Sequence, residues 1–513
     1  MRPEARQTQS IWQATVEMPE YPRMSRNLSA DVCVIGAGIA GMTTAYLLAK
    51  AGQSVVVLED GLIGSGETGR TTAHISNALD DRYYALERMH GAEGARLAAE
   101  SHTAAIHRAA AIAELENIDC DFEWVDGYLF APSHGSNDDH LENLKKELQA
   151  AHRAGLVDVD FVTRAPFTFW DSGPCLKFPR QAQFHSLKFL SGLARCIERD
   201  GGALFNRTHV EGVEAGSPLK IKTTGGQTVS ARSAIVCTNA SITDYVVTHI
   251  KQAPYRTFVI AGPVPKGSIP YGLYWDDDSP YYYVRLQPAA DDPAIDYLIV
   301  GGEDHKTGHE DDAEERFGRI EQWTRERFPM AKSFEYRWSG QVMEPFDYLS
   351  FTGATPDGTE NVFMHSGDSG NGITHGIMAG ILLTDLVLER ENPWARLYDP
   401  KRISLKSAPE FIRENVDVAA QFKDYVTSGD VEDVRSIPNG EGRVVVQHGK
   451  RIAAYRDLQG KLHKYSAACT HLKCIVHWNS LEKSWDCPCH GSRFAPTGNV
   501  LNGPAAMGLE AAD

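Results

Sequence analysis

Short apolar runs and amphipathic stretches alternate over the first part of the chain. Val32 to Ile35 and Ser54 to Leu58 form apolar runs typical of buried strands, and Thr43 to Lys50 between them has a helical composition. Apolar runs of this kind on either side of a helix predict two parallel strands joined by a crossover, the βαβ unit. The chain therefore opens on an α/β pattern.

Later segments predict further helices and a second group of strands. Helical composition marks three stretches, 82–118, 138–155 and 312–328. Strand-like runs occur at 203–236, 255–265, 281–286, 296–301 and 334–343. The segment 361–390 has the pattern of a strand, a glycine-rich turn and a helix, and short β runs begin at 431. The pattern changes enough at 431 to predict a separate β domain.

Three glycines follow the first apolar run with the spacing G-x-G-x-x-G, at Gly36, Gly38 and Gly41. Such glycines let the backbone approach a pyrophosphate at a helix N-terminus, where unpaired amides and the helix dipole attract anions. Glu59 ends the second strand, where its carboxylate can accept hydrogen bonds from ribose hydroxyls and would repel a 2′-phosphate. We therefore predict a dinucleotide site; the alternative is an ordinary βαβ unit with incidental glycines.

Length and charge narrow the class of protein. The chain has 513 residues, 42% of them hydrophobic, and a formal net charge of −17. Roughly three or four structural units are expected at this length. The negative charge argues against nucleic acid as a partner, because binding polyphosphate needs basic patches. No apolar run approaches the roughly 20 residues of a membrane span, and the N-terminus lacks an apolar signal core, so we expect a cytoplasmic protein.

Four of the nine cysteines fall within 21 positions near the end of the chain. The pattern is Cys469-x-His471, then 15 residues, then Cys487-x-x-His490, with Cys474 and Cys489 as an extra pair. Thiols and imidazoles this close indicate a metal site more than the disulfide framework of a secreted protein. A zinc site with two thiolates and two imidazoles is one alternative, although it leaves the extra cysteines unexplained.

This C-terminal pattern, over about 431–513, resembles a Rieske 2Fe-2S domain. The resemblance implies Cys469 and Cys487 as ligands of one iron, His471 and His490 as ligands of the other, and a disulfide between Cys474 and Cys489. Imidazoles in place of thiolates raise the cluster potential into the range of roughly −150 to +300 mV. Phe494 stands where the highest-potential members carry Tyr, so we expect an intermediate potential.

The βαβ unit, the loop GSGETGRTTAHIS at 64–76 and the turn GDSGNGITHG at 367–376 together resemble the FAD-dependent D-amino-acid oxidase superfamily over about 28–395. The residues implied to bind FAD are Gly36, Gly38, Gly41, Glu59, Arg70, Thr71, Val210, Gly370, Asn371 and Gly372. The first glycines would cradle the pyrophosphate, Glu59 would hold the ribose and Val210 the adenine. The late turn would bring a helix N-terminus to the flavin.

The fold class implied is α/β with α+β character. A Rossmann-like FAD-binding domain would carry an inserted antiparallel-sheet substrate domain, and an all-β Rieske domain would follow. The expected boundaries are 1–27 for an N-terminal arm, 28–395 for the oxidoreductase, 396–430 for a connector and 431–513 for the Rieske domain. FAD-binding segments are expected at about 28–110, 200–250 and 350–395, and the substrate domain at about 150–200 and 250–350.

His74, Tyr282 and Arg285 are the catalytic candidates, since the resemblance places the first near the flavin and the others in the substrate sheet. The segment TTAH at 71–74 is similar to the one that carries a flavin-linked histidine in dimethylglycine dehydrogenases. A covalent bond through His74 is one hypothesis, and a histidine packed beside the flavin without a bond is the other. All yellow colour remaining in the supernatant after acid denaturation would exclude the bond.

Amino-acid oxidases of this superfamily use an Arg to clamp the substrate carboxylate, but 336–350 offers Gln341, Met343 and Glu344. We therefore expect a small-molecule amine or amino-acid-like substrate, with a neutral or cationic amine fitting at least as well as an α-amino acid. The two cofactors, FAD and the 2Fe-2S cluster, suggest transfer to an external one-electron acceptor or redox partner protein. Alternatives are an electron-transfer component for a partner oxygenase and a peroxide-forming oxidase with a structural Rieske domain.

Overall fold

In a computed structural model the chain forms two large sheets with flanking helices and two small sheets near its C-terminus. The structure describes residues 8–131, 137–243, 248–277, 280–403, 405–408, 412–413, 429–431 and 433–512. Most of the predicted connector, 396–430, therefore lies outside the described residues. No helix within the described ranges is long and apolar enough to cross a bilayer.

The helices and strands are numbered in chain order. The helices are α1 (Ile11–Thr15), α2 (Ile39–Lys50), α3 (Tyr83–Leu115), α4 (Asn137–Arg153), α5 (Ser186–Arg199), α6 (Ala313–Arg327), α7 (Gly372–Val387) and α8 (Ala395–Tyr398). The strands before residue 400 are β1 (Leu28–Ile35), β2 (Val55–Leu58), β3 (His74–Ile75), β4 (Glu123–Phe130), β5 (Asp160–Val162), β6 (Cys175–Gln183), β7 (Ala203–Phe205), β8 (Val210–Glu214), β9 (Leu219–Thr223), β10 (Thr228–Val236), β11 (Gln252–Pro265), β12 (Leu273–Asp276), β13 (Tyr282–Pro288), β14 (Ile295–Lys306), β15 (Tyr336–Pro345), β16 (Phe351–Ala354) and β17 (Val362–Ser366). The later strands are β18 (Glu441–Gln447), β19 (Lys450–Arg456), β20 (Leu462–Ser466), β21 (His477–Asn479), β22 (Ser484–Asp486), β23 (Arg493–Phe494) and β24 (Val500–Asn502).

The first large sheet has the order β16-β17-β10-β1-β2-β7 and is parallel from β17 to β7. Its opening β1-α2-β2 is the predicted βαβ unit. Every residue of β2 is buried, as expected for a strand covered on both faces, which explains its unbroken apolar run. Helix α5, expected in the substrate domain, buries Leu190 and Leu193 in the same core as α2. Helix α5 therefore packs with α2, which belongs to the opening βαβ unit of the first sheet.

The second large sheet has the order β15-β11-β14-β13-β12-β4-β6-β3, with β5 beside β6. Its strands pair antiparallel except for β12 with β4. Helix α6 packs on β11 and β14, where Phe317 of the helix meets Phe258 of the strand. Strand β4 falls in the gap between the predicted segments, and β3 falls within a predicted FAD-binding segment, so the sheet begins earlier in the chain than expected.

The C-terminal part contains two small antiparallel sheets, β18-β19-β20 and β21-β22-β23-β24. Trp478 and Trp485 pack edge to face in its core, beside the fully buried Phe494. The expectation of an all-β domain here is confirmed.

The N-terminal arm packs against the body from residue 8 onward. Ser10 and Gln13 form a capping box that starts α1, and this short helix buries Ile11 and Trp12. The indole nitrogen of Trp12 donates a hydrogen bond to the carbonyl oxygen of Thr71 at 2.6 Å. The arm therefore supports the loop that the sequence analysis placed near the flavin.

Candidate active site

A cavity runs from the carboxyl ends of β1 and β2 past the start of α7 to β13 and β15 of the second sheet. Ligands of open α/β sheets bind at the carboxyl ends of the strands, so the position agrees with the fold. The C-terminal domain completes the wall with residues 500–503 and Ala505. One cavity is thus bounded by both large sheets and by the small domain.

Packing requires glycine at two positions of the turn between β1 and α2. Gly36 has φ +99°, and a Cβ there would lie 2.2 Å from the carbonyl oxygen of Cys237. A Cβ on Gly41 would lie 2.0 Å from the carbonyl oxygen of Gly36. Gly38 is the N-cap of α2 and lines the cavity without a side chain. The first turn of α2 therefore offers the open cradle that a pyrophosphate needs.

Glu59 lines the same end of the cavity, directly after β2. Its Oε2 accepts a hydrogen bond from the amide of Ala37 at 2.8 Å, and its Oε1 accepts one from the amide of Gly61 at 2.7 Å. Two backbone amides thus fix a carboxylate where a ribose would donate. Val210, at the start of β8, lies in the wall beside it, as expected for the adenine end.

Gly370, Asn371 and Gly372 line the cavity at the start of α7. Asn371 is the N-cap of this helix, and its Oδ1 accepts a hydrogen bond from the amide of Asp80 at 3.2 Å. Gly370 has φ +72°, and a Cβ there would lie 1.7 Å from Oδ2 of Asp80. Only glycine lets Asp80 lie against this turn. The positive end of the α7 dipole therefore meets the cavity beside the carboxyl group of Asp80.

Five carboxyl groups gather beside this turn, namely Asp80, Asp81, Asp304, Glu344 and Asp368. Burial raises the pKa of Asp80 to about 6 and the pKa values of Asp304 and Asp368 to about 7. Burial, followed by repulsion from Asp81, raises the pKa of Glu344. A cation that entered this end of the cavity would favour their ionised forms. No local pattern in the sequence indicates this cluster, because its members come from four separate segments.

Side chains alternate across the second sheet at the start of β13. Tyr281 and Tyr283 line the cavity, whereas Tyr282 faces the opposite side. The ring of Tyr282 stacks on Trp323 with centroids 4.6 Å apart, and its hydroxyl donates to Glu303 at 2.6 Å. The prediction of Tyr282 as a catalytic residue is therefore corrected. Its position in the strand points its side chain into the core under α6, whereas its two neighbours line the cavity.

The prediction of Arg285 as a catalytic residue is also corrected. Its guanidinium is buried, and Nη1 donates to the carbonyl oxygens of Ala73 at 2.9 Å and Phe184 at 3.0 Å. Nη2 donates to Oε1 of Gln287 at 2.6 Å. These bonds tie the loop before β3 to β13, and Arg285 is not among the described residues of the cavity wall.

His74 lines the cavity, as expected, together with Thr71. Its Nδ1 lies 3.0 Å from the hydroxyl oxygen of Thr72, and its Nε2 is a buried atom with no hydrogen-bond partner among the described residues. Burial and then the charge of Arg285 lower the pKa of His74 to about 3. The imidazole is therefore neutral, the form that either hypothesis for His74 requires.

Arg70 forms part of the cavity wall, but its guanidinium points into the interface with the C-terminal domain. Nη1 lies 2.9 Å from Oε1 of Glu482 and donates to the carbonyl oxygen of Ser339 at 2.6 Å. Both charged side chains are at most 1% exposed. Burial alone would raise the pKa of Glu482, but Arg70 and two further arginines lower it to about 2. Arg70 therefore joins the two domains through a buried ion pair.

The predicted cluster ligands converge in the C-terminal domain. Cys474 and Cys489 form a disulfide, as the resemblance implied, and are unavailable to metal. Cys469 and Cys487 remain as buried free thiols in hydrogen-bond contact with each other. The hydroxyl of Ser492 donates a hydrogen bond to Cys469.

The two histidines complete a donor set that fits a Rieske cluster. The rings of His471 and His490 lie edge to face with centroids 5.1 Å apart. Nδ1 of His490 is buried without a hydrogen-bond partner among the described residues, as expected for a nitrogen that binds metal. Two buried thiols, the buried imidazole of His490 and the half-buried imidazole of His471 provide the mixed ligands that such a cluster needs.

Hydrogen bonds connect the cluster loop to the cavity wall. Gln341 of β15 lines the cavity, and its Nε2 donates to the carbonyl oxygen of Gly491 at 3.0 Å, one residue after His490. Asn502, also in the wall, donates from Nδ2 to Oε1 of Gln341 at 2.9 Å. A Cβ on Gly491 would lie 2.6 Å from Cβ of Pro254, so the cluster loop docks closely on β11. The sequence offered no signal for these contacts.

The cavity and the cluster corner together define a flavoprotein fused to an iron–sulfur domain. Residues 31–386 match the model of the family described as FAD dependent oxidoreductase, and residues 427–512 match the Rieske 2Fe-2S domain. The chain belongs to the FAD dependent oxidoreductase family and carries a C-terminal Rieske domain. It is an oxidoreductase that binds FAD in the first part and a 2Fe-2S cluster in the second.

Two relatives cover most of this architecture. The Rieske 2Fe-2S iron-sulfur protein YhfW of Bacillus subtilis is 31% identical over 511 residues, which is 98% of this chain and 97% of the relative. Gamma-glutamylputrescine oxidoreductase of Escherichia coli is 27% identical over 396 residues, or 74% of this chain and 88% of the relative. The crystal structure of glycine oxidase from Geobacillus kaustophilus has the same fold, with a TM-score of 0.59 and 18% identity over 74% of this chain and all of that one.

Proposed function

We propose that this protein is an FAD-dependent amine dehydrogenase that passes electrons singly through its Rieske cluster to an external acceptor. The observation that carries this proposal is the shared cavity wall, in which residues 500–503 of the Rieske domain lie beside the FAD-binding residues. When bound, the flavin accepts a hydride from the carbon next to an amine nitrogen, and the cluster accepts one electron at a time. The imine left behind would be hydrolysed by water.

The carboxyl groups beside α7 support a cationic amine as substrate. Asp80 lines the cavity, and Asp80, Asp81, Asp304 and Asp368 all repel the buried carboxyl group of Glu344. Arg70 is the one arginine among the described residues of the wall, and its guanidinium is engaged by Glu482. An α-carboxylate would therefore meet acids here rather than the paired donors of an arginine. The name of the E. coli relative, which refers to gamma-glutamylputrescine, agrees with an amine substrate.

One of these carboxyl groups can accept the ammonium proton of the substrate. An amine must lose its ammonium proton before a hydride can leave the neighbouring carbon. Asp80 has a pKa of about 6, so at neutral pH it is mostly ionised and can accept this proton. Tyr283 and the neutral His74 both line the cavity, and their rings pack edge to face with centroids 5.8 Å apart. Their rings would confine the substrate and limit the access of water.

An anaerobic substrate screen tests the proposal. Purified protein loaded with both cofactors is mixed with secondary amines, diamines and amino acids, and flavin bleaching is followed by absorbance. We expect cationic amines to bleach the flavin. In Asp80→Asn the second-order rate constant of bleaching should fall by about 100-fold or more, the usual effect of removing a positioned proton acceptor. Tyr282→Phe is the matched control and should react normally, because Tyr282 faces away from the cavity. No bleaching by any amine would refute the proposal.

Two further measurements separate the competing activities. Reduction of ferricyanide without stoichiometric hydrogen peroxide supports the dehydrogenase, whereas peroxide formed at the rate of amine consumption indicates an oxidase. Bleaching by NADH in the absence of amine would instead indicate an electron-transfer component.

A further inference from the structure

His249 brings the oxidoreductase part into contact with a ligand of the cluster. It lies in the short 3-10 helix His249–Lys251 that leads into β11, and it is 1% exposed. Its Nδ1 is 3.3 Å from Nε2 of His471, and the two rings meet edge to face with centroids 5.0 Å apart. The contact joins residues 222 positions apart, so it depends wholly on how the domains dock.

This contact indicates which nitrogen each histidine offers to iron. Nε2 of His471 faces Nδ1 of His249, so a metal held by His471 while this contact persists would be bound through the other ring nitrogen, Nδ1. Nδ1 of His490 is the buried atom without a hydrogen-bond partner in the described part of the chain. Both histidines therefore offer Nδ1 to one centre. A neutral imidazole bound through Nδ1 keeps its proton on Nε2, where His249 can accept it in a hydrogen bond.

We propose that His249 is a positioning residue for the cluster, which accepts the Nε2–H hydrogen bond of His471, fixes that ring and lowers the cluster potential. A hydrogen-bond acceptor on the outer nitrogen makes a ligating imidazole a stronger donor to its metal. Stronger donation stabilises the oxidised cluster, so the potential falls. The FAD-binding part of the chain thereby tunes a centre whose ligands all lie in the other domain. The inference rests on the cluster and not on the amine substrate.

The packing around His249 also orients the histidine edge of the cluster. His490 is 3% exposed, and the carbonyl oxygen of Gly491 accepts a hydrogen bond from Gln341. The two ligand histidines therefore face the oxidoreductase, in which Gln341 also lines the flavin cavity. An acceptor at the position of His249 holds that edge in place during electron transfer.

Redox titration of the full, cofactor-loaded chain tests the proposal without any amine. His249→Leu removes the acceptor, and His249→Asn places an amide oxygen near the position of Nδ1. His463→Leu is the matched control. His463 lies on strand β20 of the same domain, and it pairs with Asp457 instead of a cluster ligand. We expect the oxidised-to-reduced ratio at fixed poise to fall about tenfold in His249→Leu, which is 59 mV for a one-electron couple. The EPR g-values of the reduced cluster should shift with it.

His249→Asn and the control should both stay near the wild-type potential. Equal potentials in the wild type and His249→Leu would overturn the proposal. If His249→Leu does not retain its iron, a crystal structure of the cofactor-loaded wild type tests the proposal through the distance between Nδ1 of His249 and Nε2 of His471. A separation of Nδ1 and Nε2 within about 3.5 Å supports the hydrogen bond, and a longer one overturns it. A chain that oxidises no amine can still show the shift, so this result and the proposed function fail independently.

Discussion

Three consecutive tyrosines illustrate how a single residue step decides what meets the cavity. Tyr281 and Tyr283 line it, and Tyr282 between them stacks on Trp323 in the core under α6. The sequence predicted the strand, but it did not indicate which side chains of the strand face the cavity. Both faces of this sheet are buried, so the segment PYYYVR has no alternation of apolar and polar residues that would identify the inner side.

The carboxyl groups at the cavity predict a pH dependence. Burial raises the pKa of Asp80 to about 6 and that of Asp304 to about 7, so both ionise as the pH rises through this range. An amine stays protonated up to about pH 10. We therefore expect the affinity for a cationic amine to increase between about pH 5 and pH 8, with a weaker increase in Asp80→Asn. Anaerobic titrations across this range measure it, and an affinity that falls with pH would contradict the assignment.

At the scale of elements, α2 depends on a close approach to the end of β1. A Cβ on Gly41 would lie 2.0 Å from the carbonyl oxygen of Gly36, so Gly41→Ala must push the helix away from the pyrophosphate cradle. We expect a loss of about 1–3 kcal/mol in the free energy of unfolding, and weakened FAD binding. Thermal unfolding and flavin content after gel filtration measure both effects.

Gly318 of α6 is the matched control, because it is also a helical glycine and a Cβ there meets no atom within 4 Å. Gly318→Ala should stabilise the protein by roughly 0.5–1 kcal/mol, since alanine has less backbone freedom to lose. Equal effects of the two substitutions would refute the packing argument.

Elements with strong local patterns were predicted well. Helix α3 at Tyr83–Leu115 and α6 at Ala313–Arg327 lie close to the predicted 82–118 and 312–328, because long helical compositions leave little ambiguity. Helix α1 was missed, although Ser10 and Gln13 have the spacing of a capping box, because it has only five residues. The glycine motif and the candidate cluster ligands could be singled out in the sequence because their chemistry is encoded in local spacing.

Contacts between the domains had no such signal. The ion pair of Arg70 with Glu482 joins residues 412 positions apart, so local spacing in the sequence does not reveal it. The same holds for Asp80, whose neighbours in the carboxyl cluster come from distant segments. Spacing in the sequence can indicate a site whose residues lie in one loop. It cannot indicate a site that forms only where distant segments pack together.

At the scale of the whole molecule, buried charges fix the Rieske domain on the oxidoreductase. Glu482 is fully buried and pairs with Arg70, and Asp486 lies 3.6 Å from Arg256. Glu482→Gln would leave Arg70 buried without its counter-charge. We expect a loss of about 3–5 kcal/mol in the free energy of unfolding, the usual effect of breaking a buried pair. Chemical unfolding measures it, with flavin and tryptophan fluorescence as separate probes.

Glu314→Gln provides the control for this substitution, because its exposed pair with Arg337 should contribute less than about 1 kcal/mol. A Glu482→Gln variant as stable as this control would show that the domains are not held together by the buried pair.

The central claim is that the flavin and the cluster exchange electrons within one chain. Rapid mixing of the loaded protein with a reactive amine, followed by absorbance and freeze-quench EPR without oxygen, tests it most directly. We expect the EPR signal of the reduced cluster to appear as the flavin bleaches, at a rate independent of protein concentration. A bleached flavin beside a cluster that stays oxidised, or a cluster reduced at a rate proportional to protein concentration, would contradict it.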